Sequence, residues 1–213
     1  MIENEYDRLA PYYDFLARIV FGKSLLRAKR HFLSLLPSKA KILLIGGGTG
    51  QILPDILKDN RRHYVVYLER SGKMISLARS RADRNKVSGQ ILFVEGDESN
   101  LPEREKFDVI ITNFFLDQFR EDRLELLMEI LFNRLNSSGL WLFTDFQLQK
   151  GQPHYWWQIL LIKTMLAFFR VATNLKTNSL PDFPPLFQRL NLTLIEEKRF
   201  LKKLIVSRVY LKQ

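Results

Sequence analysis

A hydrophobic strand that runs straight into a glycine-rich loop is the most informative segment of this chain. The strand is Lys41–Ile45, and glycines follow it at positions 46, 48 and 50, before a helical pattern begins at Gln51. Because glycine lacks a Cβ atom, such a loop can take positive φ and let a ligand lie against its backbone. The free N–H groups at the start of the next helix then face that ligand. The segment predicts a site for adenosine, ribose or phosphate.

The spacing of the glycines excludes two familiar nucleotide-binding loops. The dinucleotide fingerprint G-x-G-x-x-G, counted from Gly46, would need a glycine at Gln51, and counted from Gly47 it would need one at Thr49. A P-loop is excluded as well, because no Gly-Lys-Ser/Thr opens the following helix. The spacing here is G-x-G-x-G, which matches neither motif.

Strand-like runs alternate with amphipathic segments of helical length along most of the chain. This alternation is typical of a parallel sheet that helices cover on both faces. The predicted helices are Tyr6–Ala17, Ser24–Leu36, Gln51–Lys58, Gly72–Arg84, Asp122–Leu135 and His154–Val171. The predicted strands are Lys41–Ile45, Tyr64–Leu68, Ile91–Val94, Phe107–Thr112, Leu140–Phe146 (after a turn at 136–139), Leu192–Glu196 and Leu204–Tyr210. We predict an α/β fold: a doubly wound, seven-stranded Rossmann-like sheet, mostly parallel with a C-terminal antiparallel strand, and with helices on both faces.

The length of 213 residues and the 46% share of hydrophobic residues fit a single domain, because α/β domains reach about 200 to 250 residues before they split. Within 1–213 we expect a helical cap at 1–38, a binding core at 39–146, and a lid helix with a terminal strand pair at 147–213. The chain has no cysteine, which excludes disulfides and thiolate metal sites, and we predict no metal site. The mixed-charge start lacks the apolar region of a secretory signal, so we expect a cytoplasmic protein.

Acidic residues follow the predicted second and third strands. Glu69 ends the second strand, 19 residues after Gly50, and Asp97 follows the third. Ligands of doubly wound sheets bind outside the carboxyl ends of the strands, so both carboxylates are expected beside the glycine loop. There Glu69 can accept both ribose hydroxyls, and Asp97 can accept an adenine amino group. The alternative for Glu69 is a solvated side chain paired with Arg70.

A glycine loop after strand one, an acid that ends strand two and a Gly-Asp pair after strand three, Gly96 and Asp97, together resemble the class I methyltransferases that use S-adenosylmethionine. The resemblance covers roughly residues 5 to 146. The opening TyrAspArgLeuAlaProTyrTyrAsp at 6–14 is also similar to the N-terminal helix of the ubiquinone/menaquinone-biosynthesis type within this superfamily.

The resemblance implies roles for residues at the strand ends and in the N-terminal helix. The candidate cofactor contacts are Tyr13, Gly46, Gly48, Gly50, Glu69, Arg70, Asp97, Glu98 and Asn113. By resemblance, the three glycines pack under the methionine and ribose parts, Glu69 holds the ribose and Asp97 holds the adenine. Tyr13 helps to cover the cofactor, and Asn113 lies in the loop between cofactor and substrate.

One position departs from the family pattern. The family commonly has Asp or Glu two residues before the first loop glycine, where this chain has Leu44. That carboxylate usually helps to organise the amino-acid end of the cofactor. We expect backbone carbonyls and side chains such as Asn113 or Asp117 to replace the contact, because Glu69 and the glycines are retained. The alternatives are a reduced affinity or a site that has lost its chemistry.

If the cofactor is S-adenosylmethionine, the reaction is an in-line displacement at an electrophilic methyl group, which the protein promotes mainly by alignment. An oxygen or carbon acceptor also needs a base that removes its proton. The candidate bases are Asp117, Asp145 at the end of the fifth strand, and His154. The alternative roles are a helix cap or a surface ion pair for each carboxylate, and a capping or packed role for His154.

The predicted helix at 154–171 contains many aromatic residues: Tyr155, Trp156, Trp157, Phe168 and Phe169. Together with the N-terminal helices it is expected to form the wall of a site for a small apolar or aromatic acceptor. Two alternatives stay open. The rings fill the core beneath the edge of the sheet, or the helix makes a peripheral contact with an anionic membrane, helped by Lys163, Arg170 and Lys176. A spanning helix takes roughly 20 apolar residues, and this segment is shorter and more polar.

These observations predict methyl transfer from S-adenosylmethionine to a small-molecule acceptor. A nucleic-acid-directed methyltransferase is one alternative, because residues 151–213 hold ten basic and three acidic residues. Against it, residues 113–116 read AsnPhePheLeu, where enzymes that methylate nucleobases often carry Asn/Asp-Pro-Pro-aromatic. The other alternative, motivated by Leu44, is a non-catalytic adaptor on the same fold. The sequence does not indicate an oligomeric state.

Overall fold

Seven strands form a single sheet in the computed structural model of the chain. They are β1 (Lys41–Ile45), β2 (Tyr64–Glu69), β3 (Gln90–Glu95), β4 (Phe107–Asn113), β5 (Leu135–Phe146), β6 (Leu192–Phe200) and β7 (Ile205–Lys212). Their order across the sheet is β3-β2-β1-β4-β5-β7-β6. Strands β1 to β5 run parallel, while β7 is antiparallel to both β5 and β6. The predicted α/β fold with a mostly parallel sheet is confirmed.

The structure describes residues 7, 10–58, 62–87, 89–149, 151, 153–173, 177 and 179–213, without the side chains of residues 169 and 171–173. Over these residues the helices are α1 (Ala10–Phe21), α2 (Ser24–Arg30), α3 (Leu53–Ile56), α4 (Gly72–Arg84), α5 (Glu121–Arg134), α6 (Tyr155–Thr173) and α7 (Phe183–Arg189). The predicted helix start at Tyr6, the Phe169 ring and Lys176 lie outside the described residues. Across the described ranges, every helix is too short or too polar to cross a bilayer.

Both faces of the sheet are covered by apolar side chains. Successive residues of a strand point to opposite faces, and β1 divides its side chains accordingly. Ile42 and Leu44 pack with residues of α3 and α4, whereas Leu43 and Ile45 pack with residues of α5 and α7. A strand that is buried on both faces reads as a continuous apolar run, which explains the pattern of Lys41–Ile45.

The strand order reverses between β1 and β4, and this reversal positions the candidate site. From β1 the chain moves outward to β2 and β3, then crosses back to β4 on the other side of β1. Such a switch point leaves a crevice outside the carboxyl ends of the strands. Helices α1, α2 and α6 close this edge through an apolar cluster that includes Phe21, Ala28, Phe114, Phe146 and Ile162.

Some predicted boundaries were wrong because turn-forming residues lie inside regular elements. The turn predicted at 136–139 belongs to β5, which begins at Leu135; the β4–β5 register shifts there between Phe107 and Val109. Ser138 takes a φ of +61° in this irregular part of the strand. Strand β6 also continues past Glu196 to Phe200 along the sheet edge, where charged side chains face solvent.

Helix boundaries near proline also differ from the predicted ones. Helix α7 (Phe183–Arg189) was not among the predicted helices. It tolerates its two prolines because they stand in the first turn, where a backbone N–H has no partner in the helix. The predicted helix Ser24–Leu36 is divided: α2 ends at Arg30, and a 3₁₀ turn covers Leu33–Leu35 before Pro37.

Candidate functional site

The Glu69 side chain turns into the glycine loop, as its place at the end of β2 predicts. The Gly48 N–H donates to Glu69 Oε2 at 2.9 Å, and the Ser71 N–H donates to Oε1 at 3.1 Å. Burial raises the pKa of Glu69, and these hydrogen bonds oppose the rise. Each carboxylate oxygen has capacity for further donors, so Glu69 can accept ligand hydroxyls while it holds the loop.

The three loop glycines serve different packing needs. A Cβ at Gly46 would lie 2.3 Å from Phe115 Cδ2, and one at Gly50 would lie 2.8 Å from Ala78 Cβ, so both positions exclude a side chain because protein already fills the space. A Cβ at Gly48 would meet no described atom within 4 Å, although its φ is +60°. Gly48 is therefore the position of the three where an external group can approach the backbone.

A polar network that the sequence did not reveal fixes helix α1 against the loop. The Asp14 carboxylate accepts from Thr49 Oγ1 at 2.8 Å and from Arg81 Nη2 at 2.9 Å. Arg81 Nη1 also donates to the Thr49 carbonyl at 2.6 Å, and the Tyr67 hydroxyl donates to the Gly48 carbonyl at 2.6 Å. Side chains of three elements, α1, α4 and β2, thus contact the loop.

A small cavity lies between the loop, α2 and the end of β4. Its lining consists of Lys29, Leu44, Gly46, Gly47, Gln51, Ile52 and Asn113. The Asn113 Nδ2 atom is buried and has no hydrogen-bond partner among the described residues. Burial lowers the pKa of Lys29 to about 8, while the nearby Asp14 charge opposes this change. The cavity therefore combines one cationic side chain with an unsatisfied amide donor, and its lining has no carboxylate.

The two side chains predicted to replace the missing acid at Leu44 lie in different cavities. Asn113 lines the small cavity, whereas Asp117 lines a different one. Lys29 joins Asn113 there, and sequence reasoning missed it because nothing local distinguishes it from the other basic residues of α2.

The predicted residues after β3 are engaged in contacts of their own. Asp97 caps the 3₁₀ turn Glu98–Asn100, accepting from the Ser99 N–H at 3.0 Å and from Ser99 Oγ at 2.6 Å. The hydrogen bond from the Ser99 side chain lowers the pKa of Asp97, against the effect of burial. Glu98 forms an ion pair with Arg123 of α5, and Arg70 is exposed beside Glu69. Cofactor contacts by Asp97, Glu98 and Arg70 stay predictions.

A larger, apolar cavity of about 310 Å³ opens between α1, α2, α6 and the ends of β4 and β5. A volume near 300 Å³ is at the lower end for pockets that hold small molecules. Its lining is Tyr13, Leu16, Ala17, Val20, Phe21, Leu25, Phe114, Asp117, Gln118, Phe146, Leu161, Thr164, Met165, Leu166 and Phe168. The N-terminal helices and α6 both contribute to this lining, and Phe168 is the residue of the predicted aromatic set that belongs to it. The role of these helices as the wall of an acceptor site stays a prediction.

One carboxyl group, that of Asp117, lines this cavity, and its backbone N–H contacts a second carboxyl group, that of Asp145, which is not part of the lining. Asp145 is fully buried: its Oδ1 accepts from the Phe146 N–H at 2.9 Å, and its Oδ2 accepts from the Asp117 N–H at 3.3 Å. Asp117 lines the cavity, and its buried Oδ1 has no partner among the described residues. Burial raises the pKa of Asp117 to about 7, and burial with the Asp117 charge raises that of Asp145 well above its ordinary value. Of these two carboxyl groups, that of Asp117 belongs to the lining of the cavity.

His154 lines neither cavity, so its position gives no support to the predicted role as a base, which stays a prediction. The residue is exposed just before the first turn of α6, where its carbonyl accepts from the Gln158 N–H at 3.0 Å. The cavity is lined only by the later part of α6, from Leu161 onward. Over the described residues, no three His, Cys, Asp or Glu side chains group closely enough to hold a metal ion.

The buried carboxyl of Asp117 predicts a particular dependence of stability on pH. Its pKa of about 7 in the folded chain lies above the ordinary 3.8, so the folded state binds the proton more tightly and loses stability as pH rises from about 4 to about 7. Asp117→Asn removes this loss. We expect the variant to gain in melting temperature relative to the native chain between about pH 4.5 and about pH 8, as measured by scanning calorimetry.

Asp145→Asn is the matched control, because both Asp145 oxygens accept backbone N–H bonds and an amide loses one acceptor. It should lower the melting temperature at both pH values, and by less at the higher pH, because the Asp145 carboxyl of the native chain, whose pKa is also raised, itself loses stability as pH rises. If Asp117→Asn changes the melting temperature by the same amount at about pH 4.5 and at about pH 8, the Asp117 carboxyl does not carry the bound proton.

A known family model matches part of this chain. Residues 42–139 match the family model of the methyltransferase domain. The ubiquinone/menaquinone biosynthesis C-methyltransferase UbiE of Bartonella tribocorum is 37% identical over 76 residues, which span 35% of this chain and 29% of that protein. The chain thus aligns with less than a third of the length of this relative.

Solved structures share the fold over almost the whole chain. The 1,6-didemethyltoxoflavin-N1-methyltransferase of Burkholderia thailandensis, with bound 1,6-didemethyltoxoflavin and S-adenosylhomocysteine, superposes with a TM-score of 0.66 at 18% identity, covering 98% of this chain and 87% of that one. An O-methyltransferase family 2 protein of Planctomyces limnophilus, in complex with apigenin, gives a TM-score of 0.67 at 14% identity, with 96% and 62% covered. At these identities the likeness concerns the fold.

Proposed function

We propose that the protein transfers a methyl group from S-adenosylmethionine to a small, apolar acceptor. Residues 42–139 match the family model of the methyltransferase domain, which supports this proposal. One observation carries the proposal: two cavities of opposite character flank the segment 113–117, a polar one against the glycine loop and an apolar one floored by a buried carboxyl. The polar cavity, of about 10 Å³, has room for a small polar group rather than for a whole methyl donor. The donor would therefore lie along the outside of the loop, with one end at this cavity and its methyl group toward an acceptor in the apolar cavity.

The residues of the polar side fit the cofactor. Gly48 leaves open space beside the loop, and the Glu69 carboxylate next to it can accept the ribose hydroxyls. Asn113 and Lys29 offer N–H donors to the amino-acid end, in a cavity whose lining has no acid. Asp97 remains the candidate for the adenine. When bound, S-adenosylmethionine supplies a methyl group that is already electrophilic.

The chain's own contribution is to align the acceptor, exclude water and take a proton. The apolar lining desolvates an acceptor, and holding the reacting atoms about 3 to 3.5 Å apart contributes through orientation. Asp117 accepts the proton of an oxygen or carbon acid, since its pKa of about 7 lies near neutral pH. Asp145 positions Asp117 by accepting a hydrogen bond from the Asp117 N–H. The negative charge of one carboxylate also raises the pKa of the other, so that ionisation of both together is unfavourable.

The solved neighbours support a small acceptor. One has bound 1,6-didemethyltoxoflavin and S-adenosylhomocysteine, and another is in complex with apigenin. A non-catalytic adaptor is the competing function that a specific residue favours, since Leu44 removes an acid from the loop. Cofactor binding and transfer to an acceptor separate these two functions.

Gly48→Ala tests the cofactor side of the site. Gly22 is its matched control, because both glycines have a φ of +60° and neither would bring a Cβ within 4 Å of a described atom. Both alanine variants should lose about 1 to 2 kcal/mol of stability from the left-handed backbone. In calorimetry with S-adenosylhomocysteine, we expect Gly48→Ala alone to weaken binding, by about tenfold or more. Equal affinities would place the cofactor elsewhere.

A second test addresses the amino-acid end of the cofactor. The small cavity offers the cation of Lys29 to a ligand and has no acidic side chain. Two analogues of S-adenosylhomocysteine are compared, one without the carboxylate and one without the amino group. The analogue without the carboxylate should bind about tenfold more weakly than the other. Lys29→Met should abolish this difference, whereas Lys23→Met, an exposed change at the start of the same helix, should keep it. A stronger dependence on the amino group would mean that Lys29 does not contact the ligand.

A third test addresses the proton transfer. The native protein, given S-adenosylmethionine with a labelled methyl group, should label members of a panel of phenols and quinols. Asp117→Asn should lower kcat by about 10² to 10⁴ and leave the affinity for S-adenosylhomocysteine within about twofold, because Asp117 lines the other cavity. Cofactor binding without transfer to any panel member would favour the adaptor, and labelling of tRNA or DNA instead would favour the nucleic-acid alternative.

A further inference from the structure

Helices α1 and α6 expose apolar stripes on the outside of the protein. On α1 the stripe includes Phe15 and Ile19, which are 63% and 64% exposed, and on α6 it includes Trp156 and Leu160, which are 70% and 60% exposed. These spacings of four residues put each pair on one face of its helix. Helices of soluble proteins normally turn such a face to the core, so this surface is unusual.

The two stripes converge on the mouth of the apolar cavity. Leu16 and Val20 of α1 are partly exposed and also line the cavity, and Phe168 of α6 does the same. The apolar surface therefore continues from the outside of both helices into the interior. A molecule that leaves an apolar phase at this surface can enter the cavity without crossing water.

The charges around this surface have one sign. Exposed Arg18, Lys23 and Arg27 lie on or between α1 and α2, and exposed Lys163 lies on α6. Within the described residues of these three helices the acid is Asp14, and it is already engaged with Thr49 and Arg81. Apolar stripes bordered by basic residues complement the interface of an anionic lipid bilayer.

We propose that the exposed faces of α1 and α6 form a docking surface for an anionic membrane, with the mouth of the apolar cavity turned toward the lipid. The basic border favours this occupant over a second copy of the chain, because a two-fold contact would set the same positive charges against each other. Docking does not depend on methyl transfer. Delivery of an acceptor from the bilayer to the cavity rests on the proposed function.

Flotation of the full chain with vesicles tests the docking. Vesicles of phosphatidylcholine with phosphatidylglycerol should carry the protein, vesicles of phosphatidylcholine alone should carry much less, and added salt should release it. Binding should also move the fluorescence of the exposed Trp156 to shorter wavelengths, because the indole leaves water.

Paired variants separate the apolar from the electrostatic contribution. Phe15→Ser with Ile19→Ser, and Trp156→Ser with Leu160→Ser, should each reduce the bound fraction at least fivefold, while Leu126→Ser on α5, which is 53% exposed, should not. The triple variant Arg18→Gln, Lys23→Gln and Lys163→Gln should also reduce the bound fraction at least fivefold. Its control replaces the exposed Lys58, Lys73 and Lys86 with glutamine and should reduce the bound fraction less. The apolar residues replaced in these variants are not in the lining of either cavity described above. The affinity for S-adenosylhomocysteine should therefore stay unchanged.

Three results would overturn the proposal. Vesicle binding that survives both apolar double variants would reduce the contact to charge adsorption. Binding to neutral vesicles as strong as to anionic ones would remove the role of the basic border. A salt-resistant dimer in light scattering that Phe15→Ser with Ile19→Ser dissociates would identify a second copy as the occupant. Affinity for S-adenosylhomocysteine, measured on the same samples, reports separately on the proposed function.

Discussion

The hydrogen bond from the Gly48 N–H to the Glu69 carboxylate is the contact on which the site depends. It joins the loop after β1 to the end of β2, which are neighbours only because these strands pair in parallel with Ile45 opposite Leu68. The bond consumes a backbone donor, yet it also aims the carboxylate at the open side of the loop. Burial of the Glu69 carboxylate raises its pKa, because the charged form loses hydration. Hydroxyl groups of a ligand that donate to this carboxylate compensate the lost hydration. Preorganisation and ligand recognition therefore reside in the same side chain.

Leu44 changes the electrostatics of the adjoining cavity without changing the fold. Its side chain is buried in the cluster that includes Ile42 and Val65, so the apolar core extends up to the loop. A carboxylate there would have offset the positive charge of Lys29. Without it, burial lowers the pKa of Lys29 to about 8, and an anionic ligand group is a partner that would favour the charged form. The cavity is thus complementary to a carboxylate in a way that the family pattern alone does not imply.

The sequence predicted those parts of the site that follow from local pattern. The apolar run, the glycines and the acid at the end of β2 lie within short segments, and the sheet order brings their ends together. Contacts between distant segments were not predictable: Asp14 and Arg81 are 67 residues apart, and no periodicity relates them. The position of His154 was not predictable for a similar reason, since the direction in which α6 packs decides which of its turns faces the cavity.

The apolar surface of α1 and α6 and the buried carboxyl of Asp117 belong to one physical arrangement. A carboxyl keeps a raised pKa only while water is kept away, and the cavity that it floors opens outward between these two helices. A lipid surface over that opening would keep the interior dry and would bring the apolar acceptor by the same route. The exposed Phe15 and Trp156 side chains, which weaken the solubility of an isolated protein, then have a reason to be there. A cavity that needed an aqueous substrate would instead favour a polar rim.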